Sequence, residues 1–386
     1  EAAAYEMKSR IKEKILEEPS TSHLANEVDG AYITTFDSYA LSIVKKYHYL
    51  LGIDKNISVI DGSIIKLLKI NTLNEIFEEY YASKNEFFLE FIKTFCLKSD
   101  YTLKNELLEI DNKLDLKLDK EEYIKNYRSN YLCSSFYNKI YDDFEEYILE
   151  LVSFSKPYYD EYVELLDGKN LEKVTEHYSN YFDATSIDDL LNFFSKRAPS
   201  IKNLDEETIL IKENFVDLVK KVRSTINNYP DRSTLINDLK NSEGYTLLIL
   251  EILFKLNKRV NEYKRKNLAY DFCDIAKMSI KCLKENKNEL EALKNSLSEI
   301  LLDEYQDTSD LQEEFISLIS NNNVYMVGDI KQSIYRFRNA NPSIFMNKYE
   351  NYKNNKDGMK IDLMKNFRSR QEVVDAINLV FAPLMT

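Results

Sequence analysis

Three observations predict an α/β fold carrying a large all-α insertion. Two apolar runs, Ile300-Leu301-Leu302 and Val324-Tyr325-Met326-Val327, each lead into acids, Asp303-Glu304 and, after Gly328, Asp329. Such runs read as buried strands of a parallel sheet, whose carboxyl ends are where ligands bind. Glycine and proline number only 7 and 6 in 386 residues, far below the usual shares of ~7% and ~5%, which implies long helices. Apolar residues between Leu41 and Asn267 recur at helical spacing, cleanly so at Phe215, Leu218, Val219, Val222 and Ile226. The expected division is residues 1–40 and 269–355 in one α/β domain, 41–268 in the helical insertion, and 356–386 at the start of a second α/β domain.

Composition narrows the function. The hydrophobic share is 44% and the aromatic share 12%, enough to bury several cores. The net charge is −13 and the charges alternate rather than form blocks. Nucleic-acid binding through bulk charge is therefore excluded, and any such contact must come from local basic patches. Cys96, Cys133, Cys273 and Cys282 lack C-x-x-C spacing, and the three histidines are scattered. That pattern points to reduced thiols in a cytoplasmic protein and away from structural zinc. No signal peptide and no apolar run of ~18 residues is found, so no membrane is expected among the partners. The chain opens on Glu1 rather than Met and reads as part of a longer protein.

The elements follow in order. A charged amphipathic helix is predicted to about Glu18, rich in Ala and Glu. Ala31–Phe36, β-branched and aromatic after Asp29-Gly30, reads as a strand turning into a helix capped by Asp37 or Ser38. Helix after helix follows, punctuated at Asp167-Gly168, Ala198-Pro199 and Tyr229-Pro230. Ile249, Leu253, Leu256, Val260 and Tyr263 form one apolar stripe, interleaved with Lys255, Lys258, Arg259, Lys264, Arg265 and Lys266. Those cations are either a solvated face or a phosphate-tracking patch. Asn341-Pro342-Ser343 starts a helix with Pro in its first turn. Lys360–Met364 reads as a strand, and Gln371 to about Phe381 as a helix.

Chemistry concentrates between Ile300 and Arg338. Paired acids at a strand end suit a Mg²⁺–nucleotide. The next strand opens into Ile330-Lys331-Gln332-Ser333-Ile334-Tyr335-Arg336-Phe337-Arg338, where aromatics alternate with arginines, as suits single-stranded nucleic acid. Both in one stretch suggest a nucleotide-driven motor on DNA or RNA.

These residues resemble the UvrD/RecB-type superfamily 1 DNA helicases. Asp303-Glu304-Tyr305-Gln306-Asp307-Thr308 matches that family's Walker B box, Gly328-Asp329 through Gln332-Ser333-Ile334-Tyr335 and Arg338 its next box, and Asn366-Phe367-Arg368-Ser369 the one after. Lys331 to Ala340 looks like the AddA/RecB helicase–nuclease branch; simpler repair helicases usually have Trp near Phe337 and Gly near Asn339. Thr34-Thr35-Phe36-Asp37-Ser38 resembles a box whose Thr and His approach DNA phosphate, with Asp37 where His is usual. Leu268–Ile275 resembles the segment that re-enters the motor domain, its acids read as caps.

The resemblance implies a partial RecA-like P-loop NTPase motor domain around a parallel sheet, using ATP and Mg²⁺. Asp303 would hold Mg²⁺, and Glu304 would orient and deprotonate the attacking water. Gln332 would touch the γ-phosphate, Phe367 would lie at the nucleotide, and Arg368 would act as an arginine finger. DNA contacts would fall to Thr35, Tyr335, Arg336, Phe337 and Arg338; Thr35 is equally readable as structural, and Tyr335 and Phe337 as rings packed on the sheet. Expected partners are single-stranded DNA, duplex DNA ends and a second, AddB-like protein, with 3′-to-5′ movement in double-strand break processing. The phosphate loop G-x-x-x-x-G-K-[ST] has no match: Gly168-Lys169 is followed by Asn170, with Val163 where the first Gly belongs. Half of an ATP site is expected here, and no hydrolysis by the chain alone. Two other readings stand beside this one, a UvrD-like helicase without a nuclease and a helical interaction module whose motor boxes no longer catalyse.

Overall fold

The computed structural model describes residues 2–201 and 204–384, with the side chains of Ala3 and Arg338 outside that set. The chain divides into two compact units. One holds the chain up to Val59 and from Tyr270 onward; the other is Ile60–Ala269. The sequence places a boundary near residue 40. It falls later because helix α2 (Phe36–Lys46) buries Ala40 and Val44 with Ile57, Tyr270 and Ile275, so residues 41–59 stay with the first unit.

In the first unit, α1 (Ala2–Glu17) precedes α2, and β1 (Ser58–Val59) ends the leading part of the chain. Among its described residues, the second unit is built of helices and their connections, apart from Ala269 at its end. It comprises α3 (Gly62–Ala82), α4 (Glu86–Phe95), α5 (Tyr101–Leu114), α6 (Lys120–Tyr131), α7 (Ser134–Phe154), α8 (Lys156–Glu164), α9 (Gly168–Phe182), α10 (Ile187–Ser195), α11 (Glu206–Asn228) and α12 (Arg232–Asn267). Asp or Ser N-caps start several of them: Asp205 takes the Thr208 N–H and Asp231 the Thr234 N–H. Two apolar cores stand out among the unit's described residues. In the larger, Phe215 of α11 meets the rings of Tyr159, Tyr178 and Phe182 at 5.4, 4.9 and 6.3 Å. Burial pushes the Tyr178 and Tyr181 hydroxyls up to about 12. The many tyrosines are core filler here. The smaller core gathers Leu73, Ile76, Phe77, Phe88 and Phe91 against Leu248, Ile252, Leu253 and Leu256 of α12.

The cationic face of α12 is partly consumed by structure. Lys255 bonds Glu251 at 2.8 Å and the Tyr80 hydroxyl at 2.9 Å, Arg259 pairs with Glu79 at 2.7 Å, and Lys264 is buried. Three of the six candidate phosphate-tracking cations therefore serve the helix packing.

Returning to the first unit, β2 (Ala269–Tyr270) leads to α13 (Phe272–Glu285), α14 (Lys287–Ser296), β3 (Ile300–Leu302), α15 (Asp310–Ile319), β4 (Val324–Met326), α16 (Pro342–Lys353) and α17 (Gln371–Phe381). Capping boxes start α13, at Asp271 and Asp274, and α15, at Ser309 and Gln312. Strands β3 and β4 are parallel, with Ile300 opposite Val324, Leu301 opposite Tyr325 and Leu302 opposite Met326. A parallel pair needs a crossover, and α15 supplies it. Phe315 of α15 is buried and packs edge-on against Phe36 and Tyr39 of α2, at 5.4 and 5.9 Å.

Several expectations are corrected. β3 and β4 are not fully buried: Leu301 is 69% exposed and Tyr325 half exposed, because the pair is only two strands wide and covered on one face. Ala31–Phe36 and Lys360–Met364 form no strands. Both have strand-like composition, yet a strand exists only where a neighbour completes the hydrogen-bond ladder. Ile361, Leu363 and Met364 stand exposed instead. The cap of α2 is Thr35, not Asp37 or Ser38.

Candidate functional site

The parallel register brings both acid-bearing strand ends to the same side. The ladder continues past the strands, with Val327 N–H donating to Leu302 O and Tyr305 N–H to Val327 O, both at 2.9 Å. Asp303 and Glu304 thus lie opposite the Val327–Asp329 segment. The chain breaks out of β3 at Glu304, whose φ of 50° and ψ of 43° lie in the left-handed region. That conformation costs a non-glycine residue about 1–2 kcal/mol, and strain of this kind clusters at functional sites. A single helical turn, Tyr305–Asp307, follows. Tyr305 anchors it: the ring is buried, and its hydroxyl donates to Glu313, which also pairs with Lys348 at 2.8 Å.

The acids themselves are exposed. Asp303 Oδ1 accepts the Glu304 N–H at 2.9 Å. Among the described residues, no Lys or Arg forms an ion pair with Asp303, Glu304 or Asp329. Burial, reinforced by the charge of Glu304, raises Asp307 above the usual carboxylate range, and its Oδ1 is buried without a hydrogen-bond partner. Gln306, 1% exposed, ties the two strand ends together. Its Nε2 donates to Glu304 Oε2 at 2.6 Å, its Oε1 accepts the Asp329 N–H at 3.0 Å, and its main-chain O accepts the Ser333 hydroxyl at 3.1 Å. Asp329 in turn takes the Lys331 N–H at 3.0 Å and the Gln332 side-chain amide at 3.1 Å. Asp303, Glu304 and Gln332 are therefore joined in one network through Gln306 and Asp329.

Hard carboxylate oxygens at a strand end suit Mg²⁺, which takes only one or two carboxylates beside phosphate oxygens. No group of three or more His, Cys, Asp or Glu able to hold a metal by itself occurs among the described residues. The donor set fits a Mg²⁺ that arrives with a nucleotide rather than a resident all-protein site.

The other residues singled out by sequence lie elsewhere. Tyr335 and Phe337 face each other at 5.8 Å, and Phe337 is 75% exposed, so the latter ring is not packed into the sheet. Arg336 is exposed; the Arg338 side chain lies outside the described residues. Thr35 accepts the Ser38 N–H at 3.3 Å and donates to the Ser38 hydroxyl at 3.1 Å, a capping role. Phe367 is 90% exposed, and Asn366 Oδ1 takes the N–H groups of Arg368 and Ser369 at 2.9 and 3.0 Å. No hydrogen bond or ion pair among the described residues joins Arg368 to the acids. Sequence reasoning does not single out Gln306 or Gly328. The one available signal is that both lie inside the boxes that carry the acids.

The family model of the UvrD/REP helicase N-terminal domain matches residues 1–353. The chain belongs to this family. It is similar over its whole length to the AddA-type ATP-dependent helicase/nuclease protein of Lactobacillus johnsonii, at 31% identity and 36% of that protein's length. The corresponding protein of Lachnoclostridium phytofermentans is 30% identical with 31% of its length covered, and that of Listeria monocytogenes 30% with 35%. The chain spans about a third of the length of these curated relatives. No helix among the described residues is long and apolar enough to cross a membrane.

Proposed function

We propose that the chain is the ATP-hydrolysing and strand-coupling part of an AddA-like helicase–nuclease that moves 3′-to-5′ on single-stranded DNA. It acts in the cytoplasm, on duplex ends during double-strand break repair and recombination, with an AddB-like partner. On this reading the chain up to Val59 and from Tyr270 to residue 355 belongs to a RecA-like motor domain, Ile60–Ala269 is its helical insertion, and 356–386 opens a second motor domain. The names of the relatives, which are ATP-dependent helicase/nuclease proteins, support it. So does one observation above the rest: two parallel strand ends carry their acids to one side, and no cation among the described residues pairs with them.

The roles follow from charge and position. Asp303 would hold Mg²⁺, which when bound neutralises phosphate charge. Glu304, exposed and turned out of the strand, takes the proton of the attacking water. Gln332, held by Asp329, senses the terminal phosphate. Arg368 and Phe367 complete the nucleotide site, with Arg368 stabilising charge that develops in transfer. Tyr335 and Phe337, with Arg336 and Arg338, hold single-stranded DNA by stacking and phosphate contact, and Thr35 adds a phosphate contact.

The test uses the intact parent protein. Glu304→Gln should lower ATP turnover about 10²–10⁴-fold, the usual cost of losing a general base, while a non-hydrolysable ATP analogue still binds. Near-normal turnover would overturn the assignment.

A further inference from the structure

We infer that Gln306 is a positioning residue that transmits the state of the 328–333 segment to Glu304. The proposal rests on the reading of Glu304 as the water-activating base. Its ground is geometric. One side chain, almost fully buried, donates to the Glu304 carboxylate at 2.6 Å and accepts from the Asp329 backbone at 3.0 Å. An amide suits this place because it donates through nitrogen and accepts through a separate oxygen at the same time. Glu at this position would set two carboxylates against each other, and Leu would make neither bond.

The surroundings give Gln306 little freedom. Its flanking residue Tyr305 is fixed by the Glu313 bond and the Lys348 ammonium, which lies 5.4 Å from the ring centre. Its main-chain oxygen is held by Ser333. Gly328 leaves the room it occupies: a Cβ there would lie 2.6 Å from Gln306 Oε1 and 3.0 Å from the Phe345 ring. The requirement for glycine at 328 is thus one of close approach, not of backbone angle. When the segment carrying Gln332 shifts, the Asp329 N–H moves with it. Gln306 must then follow or lose the bond, and Glu304 is released or re-aimed. Tyr335 and Phe337 continue the same segment, so DNA held there reaches Glu304 along this path.

The experiment compares Gln306→Leu, Gly328→Ala and Ser333→Ala with Glu304→Gln in the intact parent protein. It measures kcat, KM, affinity for a non-hydrolysable ATP analogue, stimulation by single-stranded DNA, and thermal melting. Gln306→Leu should lower kcat about 10- to 100-fold, as a misplaced catalytic group does, and abolish DNA stimulation with KM and analogue affinity unchanged. Gly328→Ala, which leaves Gln306 in place but displaces its amide, should show the same pattern more weakly, and Ser333→Ala more weakly still. If Gln306→Leu fails to fold, the other two variants decide. Full kcat and DNA stimulation in Gln306→Leu and Gly328→Ala, beside an inactive Glu304→Gln, would overturn the linkage and leave the base assignment standing. A parallel fall in melting temperature, analogue affinity and kcat would reduce Gln306 to a structural residue and overturn the linkage too. An active Glu304→Gln would remove the base and the linkage with it.

Discussion

Two groups of carboxylates in this chain have opposite surroundings. In the helical unit, Asp111 is 1% exposed and pairs with Lys69 at 2.7 Å and Lys120 at 2.5 Å, while Asp115 pairs with the same two lysines. The four groups lock α3, α5 and the start of α6 together. In the first unit, Asp303 and Glu304 are exposed, and their partners are a backbone N–H and a glutamine amide. A buried acid with its cations in place is finished; its charge serves the fold. Acids gathered at a strand end without cations keep a negative field, which favours a metal ion brought from outside. On the proposed reading, this difference in surroundings separates the structural acids from the functional ones more sharply than their count does.

Removing a partner from the first group should give the largest stability effect. Asp111→Asn leaves two buried lysines sharing Asp115, and loss of one partner of a buried pair typically costs about 3–5 kcal/mol. Urea unfolding of the variant against wild type measures it, and a loss near zero would break the contrast. The pH dependence has a definite sign. For Asp115, burial pushes the carboxyl up but is outweighed by Lys120 and Lys69, so its folded value is lowered. Its contribution is therefore present above the ordinary carboxylate range and lost as pH falls through the lowered value. Lys69, also desolvated, is held above the ordinary lysine value by Asp111 and Asp115. Its contribution is present below that value and lost as pH rises through the raised one. Melting temperature across acid and alkaline pH should fall at both ends, and the acid fall should shrink in an Asp115→Asn variant.

Next in size is the aromatic pair beyond the acids. In the intact parent protein, Tyr335→Ala with Phe337→Ala should weaken single-strand affinity about tenfold or more, since each stacked base is worth about 1–3 kcal/mol. The salt dependence should hardly change, because stacking releases no counterions. Fluorescence anisotropy across a salt series reads both. Unchanged affinity in folded protein would show that these rings do not read DNA. The smallest effect belongs to a third kind of acid. Glu121 meets Lys125 at 2.6 Å on an exposed face of α6, and Glu121→Gln should leave melting unchanged, as exposed pairs do.

Much of this is legible in the sequence, unevenly. The helices α11 and α16 follow from apolar spacing and a Pro in the first turn, both properties of a short window. The acids after β3 and β4 are legible for the same reason, since an apolar run and its terminal carboxylates are contiguous. Ala31–Phe36 and Lys360–Met364 mislead because composition records strand preference but not the partner a ladder needs. The Lys69–Asp111 pair is invisible, because its members are far apart in sequence and look like ordinary surface charges on amphipathic helices. Gln306 hides within the box that makes the acids conspicuous. Its role lies in bonds to Asp329 and Ser333, which only the parallel register brings near.

The most direct test of the contrast sets Asp303→Asn beside Asp111→Asn in the intact parent protein, with thermal melting and Mg²⁺-dependent nucleotide affinity measured on the same samples. Asparagine at 303 keeps an oxygen for the Glu304 N–H. Asp303→Asn should therefore melt at or above wild type and lose Mg²⁺-dependent nucleotide binding. Asp111→Asn should melt well below wild type and, where still folded, bind Mg²⁺–nucleotide normally. The reverse pairing, with Asp303→Asn losing stability and keeping Mg²⁺-dependent affinity, would contradict the account.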